Sequence, residues 1–298
     1  MSLQQLKNDV AVITSASSDV GRAIARAFAE QGARIALLAK DVDGLEAAAK
    51  ELRERGFQSM VLPLDVTDSE AIDEATDRIL AEWGPIDLWV NNAMVKVFAP
   101  VAGRSPGEYR RVIRVNYLDH VHGTLAALRH MRPRNQGVIL QISSALAYRS
   151  VPSQSAFTAS KAAIRGFTDS LQSALVREGS GIAVTMLHLP AVSTRQSEVF
   201  RSRRNVAEPG PPSYQPEMIA QAAVYAALHS RRLPGHAPAE PRARSLTAPS
   251  PSARTLRKRT PPLVFAVLGL SAAALAFGPV RRWVREHARL LGRSQYAR

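Results

Sequence analysis

Short unbroken apolar runs alternate with amphipathic stretches through the first part of the chain. VAVIT (Val10–Thr14), RIALLA (Arg34–Ala39), MVLPLDV (60–66), IDLWVNNA (86–93), GVILQISS (Gly137–Ser144) and IAVTMLHLP (182–190) predict strands. Helix-period segments at 20–31, 42–55 and 69–82 separate the first four, a long helical segment precedes each of the last two, and another covers 216–229. Strands without a polar face, set between helices, need cover on both sides. The pattern therefore predicts an α/β fold, a doubly wound parallel sheet over residues 1–231. No strand-like run follows His229, so the sheet is expected to hold six strands, or seven if one forms beyond the pattern.

Past that point the pattern stops. Residues 232–260 are rich in Pro, Ala, Ser and Arg without apolar period, and read as a disordered linker. Residues 261–280 carry no charge and 263–277 are almost wholly apolar. About 20 such residues suffice to cross a bilayer core, so a C-terminal hydrophobic, transmembrane helix is expected. A buried helix is the alternative. In 281–298, Trp283, Val284, Ala288 and Leu291 take helical spacing among arginines, as in a helix lying among headgroups with Trp at the interface; a short solvated basic tail is the other reading.

Charge sharpens this division. The net charge is +14, but residues 231–298 hold fourteen Lys/Arg against Glu240 and Glu286, leaving +2 on residues 1–230. The basic tail points to an anionic membrane surface, and a nucleic-acid partner is not expected because the apolar segment has no place in that role. Arg257-Lys258-Arg259 and Arg281-Arg282 flank that segment on both sides, so the charges leave its orientation open; the folded part is expected on the cytoplasmic side. Cysteine is absent, which excludes disulfides and thiolate chemistry, and the seven histidines show no metal spacing.

The candidate chemistry follows the strands. After the first stands Thr14-Ser15-Ala16-Ser17-Ser18-Asp19-Val20-Gly21, where a dinucleotide fold needs a glycine-rich turn. Asp65-Val66 close the third strand, and Asn91-Asn92-Ala93-Met94 close the fourth. Asn116 lies in the next helix and Ser144 ends the fifth strand. Phe157-Thr158-Ala159-Ser160-Lys161 begins thirteen residues later, and Pro190 through Thr194, including Val192, follow the sixth strand.

In order and spacing these segments resemble the short-chain dehydrogenase/reductase family: TGxxxGxG with its third glycine kept, NNAG with Met94 for Gly, YxxxK with Phe157 for Tyr, and PGxxxT with Ala191 for Gly. The resemblance implies a Rossmann-type fold and NAD(P)-dependent oxidoreduction of a small carbonyl or alcohol substrate. It implies that Thr14, Ser15, Ser17, Asp19, Val20, Gly21, Lys40, Asp65, Val66, Asn91, Ala93, Lys161, Pro190, Val192 and Thr194 line the cofactor site. Asn116, Ser144, Lys161 and the residue at 157 would form the catalytic set, and family members usually pair as homodimers. Ala39-Lys40 at the end of the second strand, with a cation in place of an acid, points to NADP(H).

The departures fall on one surface. Phe157 has no hydroxyl to protonate a substrate oxygen, a loss worth about 10²–10⁴-fold. Ser15 and Asp19 put side chains where the family has bare backbone, and Asp19 places a carboxylate near the pyrophosphate position or caps the helix with it. Impaired catalysis is therefore expected. A non-catalytic Rossmann module that binds a ligand or partner is the alternative. Tyr148, in the loop after Ser144, is the other phenol the region offers, and Arg201, Arg203 and Arg204 fall in the segment that covers substrate in the family.

Overall fold

Four small polar residues stand where helix-period segments begin, and each caps a helix. Ser18 accepts from the Gly21 amide to start α1 (Asp19–Glu30), and Asp41 accepts from Gly44 to start α2 (Val42–Glu54). Asp68 takes the Glu70 and Ala71 amides at α3 (Ser69–Trp83). Ser105 forms a reciprocal capping box with Glu108 at α4 (Pro106–Ile113), with Pro106 at the first turn. A π-helical turn, Arg114–Leu118, joins α4 to α5 (Asp119–Met131); α6 (Ser155–Arg177) and α7 (Pro216–Arg232) complete the set. This computed structural model describes residues 5–194 and 213–232. The predicted linker, apolar segment and basic tail, and Arg201, Arg203 and Arg204, lie outside the described residues. Among the described residues no helix is long and apolar enough to cross a membrane.

Six strands form one sheet: β1 (Val10–Thr14), β2 (Arg34–Ala39), β3 (Ser59–Pro63), β4 (Leu88–Asn91), β5 (Gly137–Ser144) and β6 (Ile182–Leu189). All are parallel, in the order β3-β2-β1-β4-β5-β6. Residues of β1 alternate between two fully buried faces. Val10 and Val12 join Ala36, Leu38, Trp89 and Ile139 against α3, α5 and α6, while Ala11 and Ile13 face the opposite layer. That layer holds α1, α2 and α7, with α7 packed on α1 and β6.

β3 and β4 end two or more residues before their apolar runs do, for local reasons. β3 is an edge strand and ends at Pro63, opposite the last residue of β2; Leu64 N–H to Ala39 O is its final rung. β4 ends at Asn91 because the Asn92 and Ala93 amides turn to the Thr14 hydroxyl (2.9 and 3.3 Å). The strand order reverses between β1 and β4, so the connections that leave their C-terminal ends run to opposite sides of the sheet and leave a crevice, the usual ligand position in such sheets.

Candidate active site

The first wall of the crevice is the turn after β1. Asn92 braces it from the β4 side: its Nδ2 donates to Thr14 O (3.1 Å), Ser15 O (3.3 Å) and Ser18 Oγ (3.3 Å). Ser15 sits at φ +49°, the left-handed conformation for which glycine is ordinarily used. The turn thus keeps its shape at a cost of about 1–2 kcal/mol for the Cβ it carries. Gly21 is required by close approach, since a Cβ there would press into the Ser15 carbonyl oxygen and stand 2.9 Å from Ala16 Cα. Ser17 is as close to α2: a Cβ on Gly44 would lie 2.8 Å from Ser17 Cβ. The helix cap is Ser18 and not Asp19, which occupies the first helical position with its carboxylate in the N-terminal turn. Val20 is buried behind it.

At the β2 and β3 ends Lys40 and Asp65 meet each other. Lys40 Nζ lies 2.7 Å from Asp65 Oδ2, and Asp65 Oδ1 accepts from the Thr67 amide. Desolvation opposes ionisation of this carboxyl, but the Lys40 and Thr67 hydrogen bonds outweigh it and hold its pKa below the usual range. Val66 is buried beneath the pair.

The acid/base end is built by β5, α6 and the π-helical turn. Asn116, fully buried, clamps the loop after β4: its Oδ1 accepts from Val95 N–H (2.7 Å) and its Nδ2 donates to Val95 O and Ser160 Oγ, each at 3.0 Å. Ser144 Oγ accepts from the Leu146 amide (3.2 Å), leaving its proton to donate. Phe157 is 2% exposed, and Lys161 Nζ lies 5.7 Å from its ring centroid, so the one-turn spacing does bring the two together. Lys161 donates to Ile142 O (3.3 Å) on β5. Burial, and then the neighbouring Lys96 ammonium, lower Lys161 to about 7 against the pull of Asp119.

Tyr148 is directed elsewhere. Its hydroxyl meets His188 Nε2 at 3.2 Å, Arg165 stacks on its ring, and desolvation raises its pKa. An acid/base phenol needs the reverse shift. After β6, Val192 bridges to Tyr214 and the Ser193 amide donates to Tyr214 O, so the segment 190–194 is held against Tyr214.

Several polar groups here are spent inside the fold. Asn91 does not line the crevice with its side chain, which is spent inside the fold: Oδ1 accepts from Trp89 Nε1 (2.7 Å), and Nδ2 donates to Thr124 Oγ1 and Gln141 Oε1, each at 3.0 Å. Asp119 is fully buried with neither carboxyl oxygen hydrogen-bonded, and burial raises its pKa well above the usual range. His120, 3.8 Å from it, is pushed well below its usual pKa by burial and then by Lys161. That distance exceeds a hydrogen bond, and burial pushes both groups toward their neutral forms. Arg104, also buried, donates to the carbonyls of Val97, Ala99 and Ser153. The signal available for these groups was a charge interrupting an apolar run, as Lys96 does in MVKVF and Asp119 does ahead of an apolar helix face.

The comparisons agree with this geometry. The short chain dehydrogenase family model matches residues 9–205. An uncharacterized oxidoreductase, YxnA, of Bacillus subtilis is 31% identical over 235 residues, 78% of this chain and 66% of that protein, so the chain spans about two thirds of its length. A fatty acyl-CoA reductase of Acinetobacter baylyi is 31% identical over 225 residues, 75% of this chain and 74% of that one. Among solved structures, a metagenomic short-chain oxidoreductase in complex with NADP shares 28% identity at TM-score 0.65, covering 76% of this chain and 94% of its own. Actinorhodin polyketide ketoreductase with NADPH shares 25% identity at TM-score 0.71, covering 79% and 95%. The family model covers most of the sheet domain, and the six-stranded parallel sheet is the fold of the solved relatives: the chain belongs to the short-chain dehydrogenase/reductase family.

Proposed function

We propose that this chain is a membrane-tethered, NADP(H)-binding short-chain dehydrogenase/reductase in which proton transfer is impaired. One observation carries the reading: a phenyl ring, not a phenol, lies buried beside the lysine that would activate it. The close approach of Gly21 to the backbone of Ser15 and Ala16, with Ser15 left-handed at φ +49°, keeps the tight shape of a glycine-rich turn, which fits a nucleotide cradle. The turn from Thr14 to Gly21, the backbone at Ala93, Asp65, Lys161 and residues 190–194 would hold the cofactor, and Lys40 would meet a 2′-phosphate. A bound nicotinamide supplies hydride chemistry. Ser144 orients a carbonyl oxygen with its free O–H, and Lys161 keeps a cation under the same edge. Phe157 has no proton to deliver.

The cofactor test is quantitative. Lys40 must leave Asp65, a partly exposed pair worth about 1 kcal/mol or less. The Asp19 carboxylate costs more: like charges at about 4 Å repel by roughly 1–4 kcal/mol. Thermal-shift titration of the unmodified protein should therefore give weak NADPH binding, and Ser15→Gly with Asp19→Gly should tighten it about tenfold or more. Sub-micromolar binding by the unmodified protein would overturn the obstruction argument. A non-catalytic module is the second reading, favoured by Ser18, which already occupies the Gly21 amide at the helix start. It gains if the glycine variants also ignore nucleotide.

The tether rests on the uncharged segment 261–280 between basic clusters. Full-length protein should sediment with membranes and stay there through carbonate washing, whereas a chain ending at Leu233 should not. Release of full-length protein by carbonate removes the tether from the reading.

A further inference from the structure

The loop after β4 sends a second lysine to the Phe157 ring. Lys96 lies between two residues whose backbones are held: Asn116 takes both polar groups of Val95, and Arg104 takes the carbonyl of Val97. With the chain fixed on either side, the half-buried Lys96 places Nζ 5.5 Å from the ring centroid, against 5.7 Å for Lys161. Two ammonium groups thus share one aromatic ring, within the cation–π range. Among the described residues neither forms an ion pair with a carboxylate.

The surrounding groups do not balance these charges. From α5, Asp119 is driven toward its neutral form by burial, and His120 is neutral. From β6, His188 is lowered by burial. Asp65, beyond β3, is already paired with Lys40. Desolvation lowers Lys96, and Lys161 stands at about 7. Ser144, two residues beyond the Ile142 carbonyl that receives Lys161, has a hydroxyl proton to donate at the same strand end. A surplus of cation beside an aromatic ring and a hydroxyl donor is the complement of a small organic anion.

We propose that Lys96, Lys161 and the Phe157 ring form a recognition site for a small-molecule carboxylate, with Lys96 as the residue that selects the negative charge. This assignment rests on the reading of this end of the crevice as the substrate end. It adds a substrate class to that reading, a carbonyl or hydroxy compound bearing a carboxylate.

Benzoate is the probe, with benzamide as its uncharged isostere and inorganic phosphate as a non-carboxylate anion, measured on the full-length protein without nucleotide. At pH 6, where both lysines are charged, 10 mM benzoate should raise the melting temperature by about 3 °C, and benzamide should not. At pH 9 the shift should shrink severalfold as Lys161 loses its proton. Lys96→Gln should weaken benzoate about tenfold, and Lys96→Arg should keep it. A benzoate shift unchanged in Lys96→Gln, or no shift in the unmodified protein at pH 6, overturns the proposal. An equal shift from phosphate overturns the carboxylate assignment. Because the probe needs no nucleotide, failure to bind NADPH would strike the oxidoreductase reading and leave the benzoate result standing.

Discussion

Phe157→Tyr, made on a chain that also carries Ser15→Gly and Asp19→Gly, is expected to reduce generic diketones or quinones with NADPH about 10²–10⁴-fold faster than the glycine-only variant. The new hydroxyl would extend a ring already buried next to Lys161 Nζ, in a helix whose spacing relative to β5 needs no change. Lys161 also stabilises a phenolate by its charge, lowering the pKa of the added group. Tyr148 serves as the control: its hydroxyl is turned to His188, so Tyr148→Phe should leave the rate unaltered. Ordinary turnover by the unmodified protein would show that proton transfer here never depended on position 157. Inertness of the triple variant in the presence of bound NADPH would favour the non-catalytic module.

Lys161 gives the second large effect, on stability. Its pKa falls from 10.5 to about 7 on folding. Between those values the unfolded chain keeps a proton that the folded chain has released. Protons therefore favour unfolding, and stability should climb as pH rises from about 7 toward 10.5. The gain attributable to this group is on the order of 5 kcal/mol, at about 1.4 kcal/mol per unit. Lys161→Met fills the same volume without the charge and should lose most of the climb; the smaller remainder belongs to Lys96, lowered in the same direction. Denaturant melts of both proteins at pH 7 and pH 10 decide the matter. Parallel gains in the two proteins would mean that Lys161 is not the source.

The fold was legible because its information is periodic. β1, β2 and β5 occupy the same residues that their apolar runs mark, and β6 stops one residue short. The motif positions were legible too, since Thr14, Asn116, Ser144, Phe157 and Lys161 hold their places by spacing along regular elements. What escaped was whatever depends on a side chain choosing among partners. Asn91 and Asn92 read alike as a dipeptide, yet successive residues leaving a strand point opposite ways: one enters the core network, the other braces the first turn. Asp19 read as the candidate cap, but the backbone at Ser18 is extended where Asp19 is already helical, and the cap is Ser18. Lys40 and Asp65 read as two separate positions, and nothing in their spacing announces that they bond each other. Lys96 carried no motif, and its meaning comes from the clamps on its neighbours.

The packing of α7 on α1 has a consequence for how the molecule is made. Ile219, Ala220, Ala222, Ala223, Val224 and Ala227 are all buried, and Glu217 adds an ion pair to Arg26. The first helix synthesised is thus covered by the last helix of the sheet domain, some two hundred residues later in the chain. On a ribosome adding roughly 5–20 residues per second, the apolar face of α1 waits on the order of ten seconds or more for its cover. During that interval nascent chains should depend on a chaperone that shields small apolar helix faces, and the dependence should end once residue 232 has emerged.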